Sequence, residues 1–408
     1  MAQTVSAGTV LSNGARFHSI SRDYTETVSV VMFIKGGLFR EDKATNGLGS
    51  LFARTWIKSG DLLEKVEYVG GRTGAALTND YLEFSISVPT VYFESVIADL
   101  KKQIATPVFK KEIFDREKRL ALQEFEAEKD DPSSLAYQLF MQATYKNHPY
   151  ALKSEGESGA VEKLTLKDVE SYYKNNFSGA DMIVVMAGKY TAKQEEAIKQ
   201  IFASVPKGKA IAISCNEAEI IKAEQSETTD SRIQQAKLFV AYPAPSASSP
   251  EYVYTKLLSD LLGGGMSSPY FTALRKEKGY AYSVGTMYPS LLCTSRFTGF
   301  IELQEENIGD AVTTMQRLNS SILKTTTKED LEKSKNHIIG QVLAEAETNS
   351  RTAWYSAFFE NLGLGFDYVP KYIDRLRATT LEDLKGIDGI FKKPHTIFIY
   401  RPAAGEAE

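Results

Sequence analysis

Two stretches of this chain, "TLKDVESYYKNNFSGADMIVVMAG" (165–188) and "TLEDLKGIDGIFKKPHTIFIYRP" (380–402), decide its fold because they repeat one order of elements. Each begins with Thr-Leu-x-Asp, which sets Asp168 against Asp383. Each continues as a short predicted helix and ends in an apolar run that is typical of a buried strand. The repeat indicates that the two halves of the chain have related structures.

A second pair of segments supports this duplication. Residues 112–140 and 328–358 are both charged and rich in helix-favouring residues. The first is interrupted before Pro132 and the second near Asn349, so each predicts a long helix followed by another. An internal duplication of about 200 residues per copy explains both pairs.

The polar stretch "KGKAIAISCNEAEIIKAEQSETTDSR" (207–232) lies almost at the middle of the chain and has no strong helical periodicity. We interpret it as an interdomain linker. The sequence therefore predicts an N-terminal domain over residues 1–206 and a C-terminal domain over residues 233–408.

The pattern of elements predicts an α+β fold with two similar domains. Runs rich in Val, Ile, Phe and Tyr predict strands at 28–37, 72–88, 180–188, 234–245, 279–288 and 296–303. Helices are predicted between them, including 251–262, 307–323, 328–346 and 350–362 in the second half. Strand pairs followed by helix pairs favour a largely antiparallel sheet in each domain, with helices packed on one face.

The composition of the 408 residues is that of a soluble globular protein, with 43% hydrophobic residues, 25% charged residues and a net charge of -4. Nothing in this balance favours nucleic acid as a partner. No apolar run reaches the ~20 residues of a membrane span, and the N-terminus does not resemble a signal peptide. We expect a cytoplasmic protein, or a periplasmic or organellar one if a targeting peptide was removed.

The chain contains two cysteines, Cys215 and Cys293, far apart in sequence and outside any CxxC pattern. We expect two buried thiols rather than a disulfide.

The histidines do not predict a metal site. No two of the four could share a helix face, and the chain contains neither HExxH nor HxxEH. The four histidines are His18, His148, His337 and His395. We interpret each of them as structural or solvated.

The stretch "GLGSLFARTWIKSG" (47–60) predicts a buried helix, with Asn46 as its N-cap and Gly60 as its stop. Its apolar face follows the helical period at Leu48, Leu51, Phe52, Thr55 and Trp56. Beside that face lie three side chains spaced three and four apart, Ser50, Ala53 and Arg54. A hydroxyl, a methyl and a fixed positive charge make a poor catalytic set.

Two further segments contain candidate residues. Glu117 and Glu124 lie two turns apart on a predicted helix, where a solvated helix face is the simpler interpretation. In "GGGMSSPYFTALRKEKGYAYSVG" (263–285), we expect a helix that ends in a left-handed glycine, although three glycines also permit another backbone to approach closely. Arg275 falls on a helix, and Tyr280 and Tyr282 alternate toward one side of a strand entrance; a surface arginine with sheet aromatics explains these residues equally well.

Together, the duplicated halves, the helix at 47–60, the helix with two glutamates and the 263–285 segment resemble the M16 metallopeptidases, also called pitrilysin or inverzincin peptidases. The likeness is greatest to the bacterial and mitochondrial processing-peptidase branch. It covers essentially the whole chain, and the 263–285 segment is its most specific part.

The resemblance implies that a zinc site has been lost. Catalytic members have HxxEH on the first-domain helix, where two histidines bind zinc and the glutamate is the general base. Here those positions match Ser50, Ala53 and Arg54, while Glu124 matches the remaining zinc ligand and Glu117 the glutamate seven residues before it. We therefore expect no metal, no cofactor and no peptidase activity in the isolated chain. We also expect Arg54 to replace the metal as the counter-charge of Glu124 or Glu117, keeping these buried carboxylates paired.

The second domain retains its part of the family's active site. An Arg and a Tyr of that domain reach the substrate in the family, and they match Arg275 and Tyr282. The resemblance thus implies the non-catalytic subunit of a heterodimeric zinc processing peptidase. Its partner would contribute HxxEH and zinc, and the two chains would close around a chamber in which unfolded or short peptides are cut.

The expected substrate-binding residues are Gly74, Ala75, Ala76, Leu77 and Thr78, which match the family's edge strand, and Gly263, Gly264 and Gly265. The edge strand could bind an extended peptide by strand addition, and an ordinary sheet edge explains it equally well. Two other functions stay open. One is a structural subunit like the core subunits of the respiratory cytochrome bc1 complex, against which the intact Arg275 and Tyr282 argue. The other is a stand-alone peptide-binding chamber, with a homodimer as one form of the isolated chain.

Overall fold

The structure of the protein is a computed structural model that describes residues 8–215 and 223–403. Residues 216–222, in the expected linker, lie outside the described residues. The strands are β1 (Thr9–Val10), β2 (Arg16–Ser21), β3 (Thr27–Lys35), β4 (Arg72–Leu77), β5 (Tyr81–Pro89), β6 (Met182–Gly188), β7 (Glu224–Asp230), β8 (Ala236–Ala244), β9 (Val284–Met287), β10 (Ser295–Leu303) and β11 (Thr396–Pro402).

The α-helices are α1 (Leu48–Ser59), α2 (Leu62–Tyr68), α3 (Phe93–Ala105), α4 (Lys111–Glu128), α5 (Pro132–Tyr145), α6 (Ser158–Val161), α7 (Leu166–Asn176), α8 (Ala192–Ala203), α9 (Tyr252–Gly263), α10 (Ile308–Thr325), α11 (Lys328–Glu345), α12 (Asn349–Asn361) and α13 (Tyr368–Ala378). Residues Phe271–Glu277 form a π-helix. In the described part of the chain, no helix is long and apolar enough to cross a membrane.

The chain forms two compact units, and each is built from both halves of the sequence. Unit 1 consists of the described parts of residues 1–127, 152–214 and 343–370, and the remaining described residues form unit 2. The first half thus contributes 128–151 to unit 2, and the second half contributes 343–370 to unit 1. The domain boundaries expected from the sequence, at residues 206 and 233, do not include this exchange of segments between the two halves.

Unit 1 contains a six-stranded sheet in the order β1-β2-β6-β3-β5-β4. Its pairs are antiparallel except β2 with β6, which is parallel. Val30 and Met32 of β3 face a core that includes Phe52 and Trp56 of α1. The helical periodicity of 47–60 therefore correctly predicts the buried face of α1.

The other face of this sheet is covered by α12. The helix packs across β3 and β6, where Phe33 stacks on Tyr81 with ring centroids 3.8 Å apart. Trp354 meets Phe33 edge-on at 6.2 Å and donates a hydrogen bond from Nε1 to Glu83 Oε2 at 3.0 Å. The sequence predicts helices on one face only, because nothing local in it shows that a helix from the second half returns to the first sheet.

Unit 2 contains a five-stranded sheet in the order β7-β11-β8-β10-β9, antiparallel except for the pair β7 with β11. Helix α5 packs on it through Phe140, which stacks on Phe239 with ring centroids 4.7 Å apart. Helices α9 and α10 contact β9 and β8. The last part of the expected linker is β7, whose residues alternate between half-buried and exposed along the edge of this sheet.

The two Thr-Leu-x-Asp repeats form the same cap. Asp168 accepts hydrogen bonds from the backbone and hydroxyl of Thr165, and Asp383 does so from Thr380. The first cap begins α7, whereas the second is followed by turns and a 3-10 helix, Ile387–Lys392. The predicted short helix is therefore α-helical in the first copy only.

Cys215 and Cys293 form a disulfide in unit 2, so the expectation of two buried thiols is wrong. The residues are 78 positions apart, and their Cα atoms lie 5.2 Å from each other. This proximity arises from the tertiary fold, since Cys293 lies in the connection between β9 and β10.

Candidate functional site

The N-terminus of α1 is capped by a residue that sequence reasoning missed, Glu41. Its carboxylate accepts hydrogen bonds from Gly49 N at 2.6 Å, from Gly47 N at 3.0 Å and from Asn46 Nδ2 at 3.0 Å. Burial raises the pKa of Glu41, against the opposing effect of these donors. The predicted N-cap Asn46 is wrong, because Gly47 occupies that position in the left-handed region, whereas Gly60 ends the helix as predicted.

The edge of α1 contains the three residues that the resemblance sets at the positions of HxxEH. Ser50 is half-buried and Ala53 is buried, while Arg54 reaches α4. The guanidinium of Arg54 binds both carboxylate oxygens of Glu124, at 3.0 and 2.5 Å. This contact lowers the pKa of Glu124 and raises the pKa of Arg54. Of the two carboxylates expected as partners of Arg54, the structure pairs Arg54 with Glu124.

Glu117 has different partners. Lys58 Nζ lies 2.6 Å from Glu117 Oε2, and Arg116 lies 3.0 Å from Oε1. The side chain of Glu117 is 1% exposed, whereas that of Glu124 is 56% exposed. The expectation that both carboxylates are buried is therefore wrong for Glu124. Lys58 lies one turn after Arg54 on α1, and that spacing could have revealed it.

These residues do not fit a metal ion. Of the side chains that the resemblance sets at zinc-binding positions, only Glu124 could serve as a metal ligand, and a catalytic zinc normally needs three protein ligands. The guanidinium of Arg54 already occupies both oxygens of that carboxylate. Across residues 8–215 and 223–403, no group of three or more His, Cys, Asp or Glu side chains could hold a metal ion.

The histidines have structural surroundings. His18 is buried and stacks on Phe366 with ring centroids 4.9 Å apart, and burial lowers its pKa to about 4. His148 is buried and accepts a hydrogen bond from Tyr150 N, and His337 contacts Asp260. His395 stacks on Tyr242.

The expected peptide-binding strand lies at an edge of the unit 1 sheet. Strand β4 pairs with β5 and, among the described strands, with no other. Gly74, Ala75, Ala76 and Leu77 belong to it, and Thr78 follows it. A Cβ atom on Gly74 would meet nothing within 4 Å, so the strand has free space there.

Of the two expected explanations for the three consecutive glycines, the structure supports the close backbone approach. Helix α9 ends at Gly263, and none of Gly263, Gly264 and Gly265 adopts a positive φ, so the expected left-handed glycine is wrong. Gly263 instead permits a close backbone approach, since a Cβ there would lie 2.6 Å from Thr286 N of β9. The left-handed conformation occurs later, at Gly279.

Arg275 and Tyr282 lie together in unit 2. Arg275 belongs to the π-helix, a conformation often found at functional sites, and its Nη1 donates to Tyr282 O at 2.7 Å. Its Cζ lies 4.7 Å from the centroid of the Tyr282 ring, and Tyr282 is 86% exposed. Tyr280 instead interacts with Asp310, so the two tyrosines have different neighbours despite their expected alternation.

Family profiles and related sequences show which known proteins this chain is similar to. Residues 16–157 match the profile described as Insulinase (Peptidase family M16), and residues 163–338 match that of the Peptidase M16 inactive domain. The chain is 21% identical to the uncharacterized zinc protease YmxG of Bacillus subtilis, over 96% of this chain and 97% of the relative. It is 22% identical to the non-peptidase homolog YmxG of Helicobacter pylori, over 89% and 84%. A probable mitochondrial-processing peptidase subunit beta of Arabidopsis thaliana is 21% identical over 62% and 50%.

Solved structures share the fold. A peptidase M16 inactive domain from Pseudomonas fluorescens has a TM-score of 0.88 at 19% identity, covering 99% of this chain and 100% of that chain. A chain of complex III from Candida albicans has a TM-score of 0.80 at 14% identity, over 97% and 95%. The protein described here therefore belongs to the M16 peptidase family and has its two-domain α+β fold.

Proposed function

We propose that this chain is the non-catalytic subunit of a heterodimeric zinc peptidase and completes the active site of an HxxEH-bearing partner. The observation that carries the proposal is the contrast between the two candidate half-sites. In unit 1, Arg54 occupies the carboxylate of Glu124, whereas in unit 2 Arg275 and Tyr282 are held together with Tyr282 exposed. The name non-peptidase homolog, given to the relative from Helicobacter pylori, is in line with the first half of this contrast.

The isolated chain should bind no stoichiometric zinc and hydrolyse no peptide, because Ser50, Ala53 and Arg54 offer no imidazole and no general base. Metal analysis after a chelator wash tests this directly. Near-stoichiometric zinc, with activity lost in Glu124→Gln, would overturn it. The combined change Ser50→His, Ala53→Glu and Arg54→His should create weak zinc uptake, detectable by calorimetry. A triple variant that takes up no zinc would show that the surroundings of the site have also diverged.

Arg275 and Tyr282 can supply hydrogen-bond donors to a substrate carbonyl and to the oxyanion that develops on it. Such stabilisation belongs to the transition state, and removing one donor typically lowers turnover by ~10²- to 10³-fold. In the reconstituted heterodimer, Tyr282→Phe should lower kcat by about that factor and leave assembly unchanged. Arg275→Ala should also raise KM if its charge holds the peptide.

Tyr280→Phe is the matched control, because Tyr280 is a neighbouring tyrosine that interacts with Asp310 and not with Arg275. It should change kcat much less than Tyr282→Phe. If a complex with both Arg275→Ala and Tyr282→Phe cleaves peptide at the wild-type rate, this chain does not complete the active site.

We also propose that unfolded or short peptides bind as an added strand along β4. The free edge of β4 and the open space above Gly74 support this role. Gly74→Pro should weaken peptide binding, because its ring fills that space and its nitrogen cannot donate a hydrogen bond. Equal affinities of the variant and the wild type would leave β4 an ordinary sheet edge.

A second candidate function is a structural core-type subunit of a larger complex. It is favoured by the structural likeness to a chain of complex III, which is a likeness of fold. Purification of the chain with and without the product of a neighbouring gene, followed by mass and peptidase measurements, separates the candidates. A heterodimer with activity supports the first, a large inactive complex supports the second, and a peptide-binding homodimer without activity supports the stand-alone chamber.

We further propose that the chain matures in an oxidising compartment, such as a periplasm, rather than in the cytoplasm. The disulfide between Cys215 and Cys293 supports this, since such bonds persist mainly in oxidising environments. Alkylation of free thiols at the moment of cell lysis should label neither cysteine. Labelling of both in most molecules would favour the cytoplasm.

A further inference from the structure

Three side chains of the 263–285 segment form a stack in unit 2. The guanidinium of Arg275 lies between two aromatic rings, with its Cζ 4.8 Å from the centroid of Phe271 and 4.7 Å from that of Tyr282. Arg275 Nη1 also donates to Tyr282 O at 2.7 Å. A cation stacked on aromatic faces on both sides has restricted motion.

The stack is anchored at one end only. Phe271 follows Tyr270, which is fully buried and donates from Oη to Asn319 Oδ1 at 2.7 Å. Leu274, within the same π-helix, is also fully buried. The segment that carries Phe271 is thus fixed to the core of unit 2. At the other end, Tyr282 is 86% exposed, and within the described residues its ring has no aromatic or cationic neighbour except Arg275.

We propose that Phe271 is a positioning residue: it fixes the orientation of Arg275 and, through Arg275, that of Tyr282. This inference rests on the proposed function, in which those two residues serve the partner's active site. An arginine has five N–H donors, so the bond to Tyr282 O leaves most of them for substrate. The Phe271 ring supplies no hydrogen bond to substrate; it selects one orientation of the guanidinium before substrate arrives.

The first test measures order in the isolated chain and does not depend on activity. Side-chain Nε relaxation of Arg275 by NMR should show a restricted guanidinium in the wild type. Phe271→Leu keeps an apolar side chain but removes the aromatic face, so Arg275 and the ring of Tyr282 should both become more mobile. Phe271→Tyr keeps the face and should restore wild-type order.

Lys276→Gln is the matched control. Lys276 Nζ also lies over the Phe271 ring, 5.8 Å from its centroid, whereas the cation over the Tyr282 ring is Arg275. It should leave the order of Arg275 unchanged. If Phe271→Leu leaves Arg275 as ordered as in the wild type, the inference is wrong whatever the activity shows.

The second test uses turnover in the reconstituted heterodimer. Phe271→Leu should lower kcat roughly two- to fivefold, the range that one exposed cation–π contact is worth, with little change in KM. In an Arg275→Ala background the same substitution should have no further effect, because Phe271 acts through Arg275. An equal loss in both backgrounds would contradict the inference. Unchanged turnover in Arg275→Ala with Tyr282→Phe would instead refute the proposed function, and the relaxation data would still decide whether Phe271 orients Arg275.

Discussion

The ion pairs at the α1 edge should differ greatly in how much they stabilise unit 1. We compare Lys58→Met with Arg54→Met, because methionine keeps the apolar stem and a similar helix propensity. Lys58 neutralises Glu117, whose side chain is 1% exposed, so its loss leaves a buried carboxylate with Arg116 as its remaining ion-pair partner and the charge of Arg54 nearby. Removing one partner of a buried pair costs about 3–5 kcal/mol, and the remaining Arg116 should reduce this to roughly 2–3 kcal/mol.

Arg54 neutralises a carboxylate that is 56% exposed. Exposed pairs contribute ~0.2–1 kcal/mol, even with good geometry, because water and salt screen them. Arg54→Met should therefore lower the free energy of unfolding by less than ~1 kcal/mol. Raising the salt concentration to ~1 M should remove most of that effect while preserving most of the Lys58 effect.

The assay is urea unfolding followed by tryptophan fluorescence. The chain has two tryptophans, Trp56 and Trp354, and both belong to unit 1, so the signal reports on that unit alone. Lys111→Met removes an exposed ion pair with Asp115 on α4 and should have almost no effect. Adding Glu117→Gln to Lys58→Met should recover part of the stability, since it removes a buried charge that has lost its Lys58 partner.

The reasoning fails if Arg54→Met destabilises unit 1 as much as Lys58→Met does. That result would mean that the contact with Glu124, and not the one with Glu117, is the main electrostatic link between α1 and α4. If the variant with both Lys58→Met and Glu117→Gln is less stable than Lys58→Met alone, the account is also contradicted. That result would show that the charge of Glu117 still stabilises unit 1 when Lys58 is absent.

Three further predictions concern stability. The Cys215–Cys293 bond closes a loop across 78 residues. In the chain-entropy account, its reduction should lower the free energy of unfolding of unit 2 by about 4 kcal/mol. Calorimetry with and without a reductant tests this, and a shift in unit 1 alone would contradict it. Burial holds His18 neutral, with a pKa of about 4 against 6.5 in the unfolded chain. The free energy of unfolding should therefore fall by up to about 3 kcal/mol as pH falls from about 6.5 to 4. His18→Phe should flatten this pH dependence, and an unchanged slope would show that other groups cause it. Gly263→Ala should destabilise unit 2, because its Cβ would lie 2.6 Å from Thr286 N, and an unchanged melting temperature would show that the backbone gives way at little cost.

Much of the fold could be predicted from the sequence where the signal is local. The apolar period of 47–60 gave the buried face of α1, and the Val- and Ile-rich runs gave strands such as β3 and β6. Strand β7 was missed because its sequence, EQSETTD, is polar on both faces. Its stability comes from backbone pairing with β11 along a sheet edge, and hydrophobic patterning does not show such pairing.

Two of the features that failed depend on contacts between residues distant in sequence. The disulfide joins residues 78 positions apart, and the burial of α12 requires a sheet formed by the other half of the chain. Glu41 caps α1 from a preceding loop, so the local N-cap rules selected Asn46 instead. Local periodicity contains no information about these approaches.

The candidate site shows why a lost ligand set need not mean a lost structure. In a family member that holds zinc, the metal would neutralise carboxylates, join the helices that supply its ligands and activate water. Arg54 and Lys58 perform the first two tasks, since each reaches from α1 to a glutamate of α4. Neither can perform the third, because a guanidinium or an ammonium has no open coordination position. The ion pairs from α1 to α4 are therefore compatible with the proposed loss of a zinc site in unit 1. Under the proposed function, Arg275 and Tyr282 of unit 2 serve the active site of a partner and not one in this chain alone.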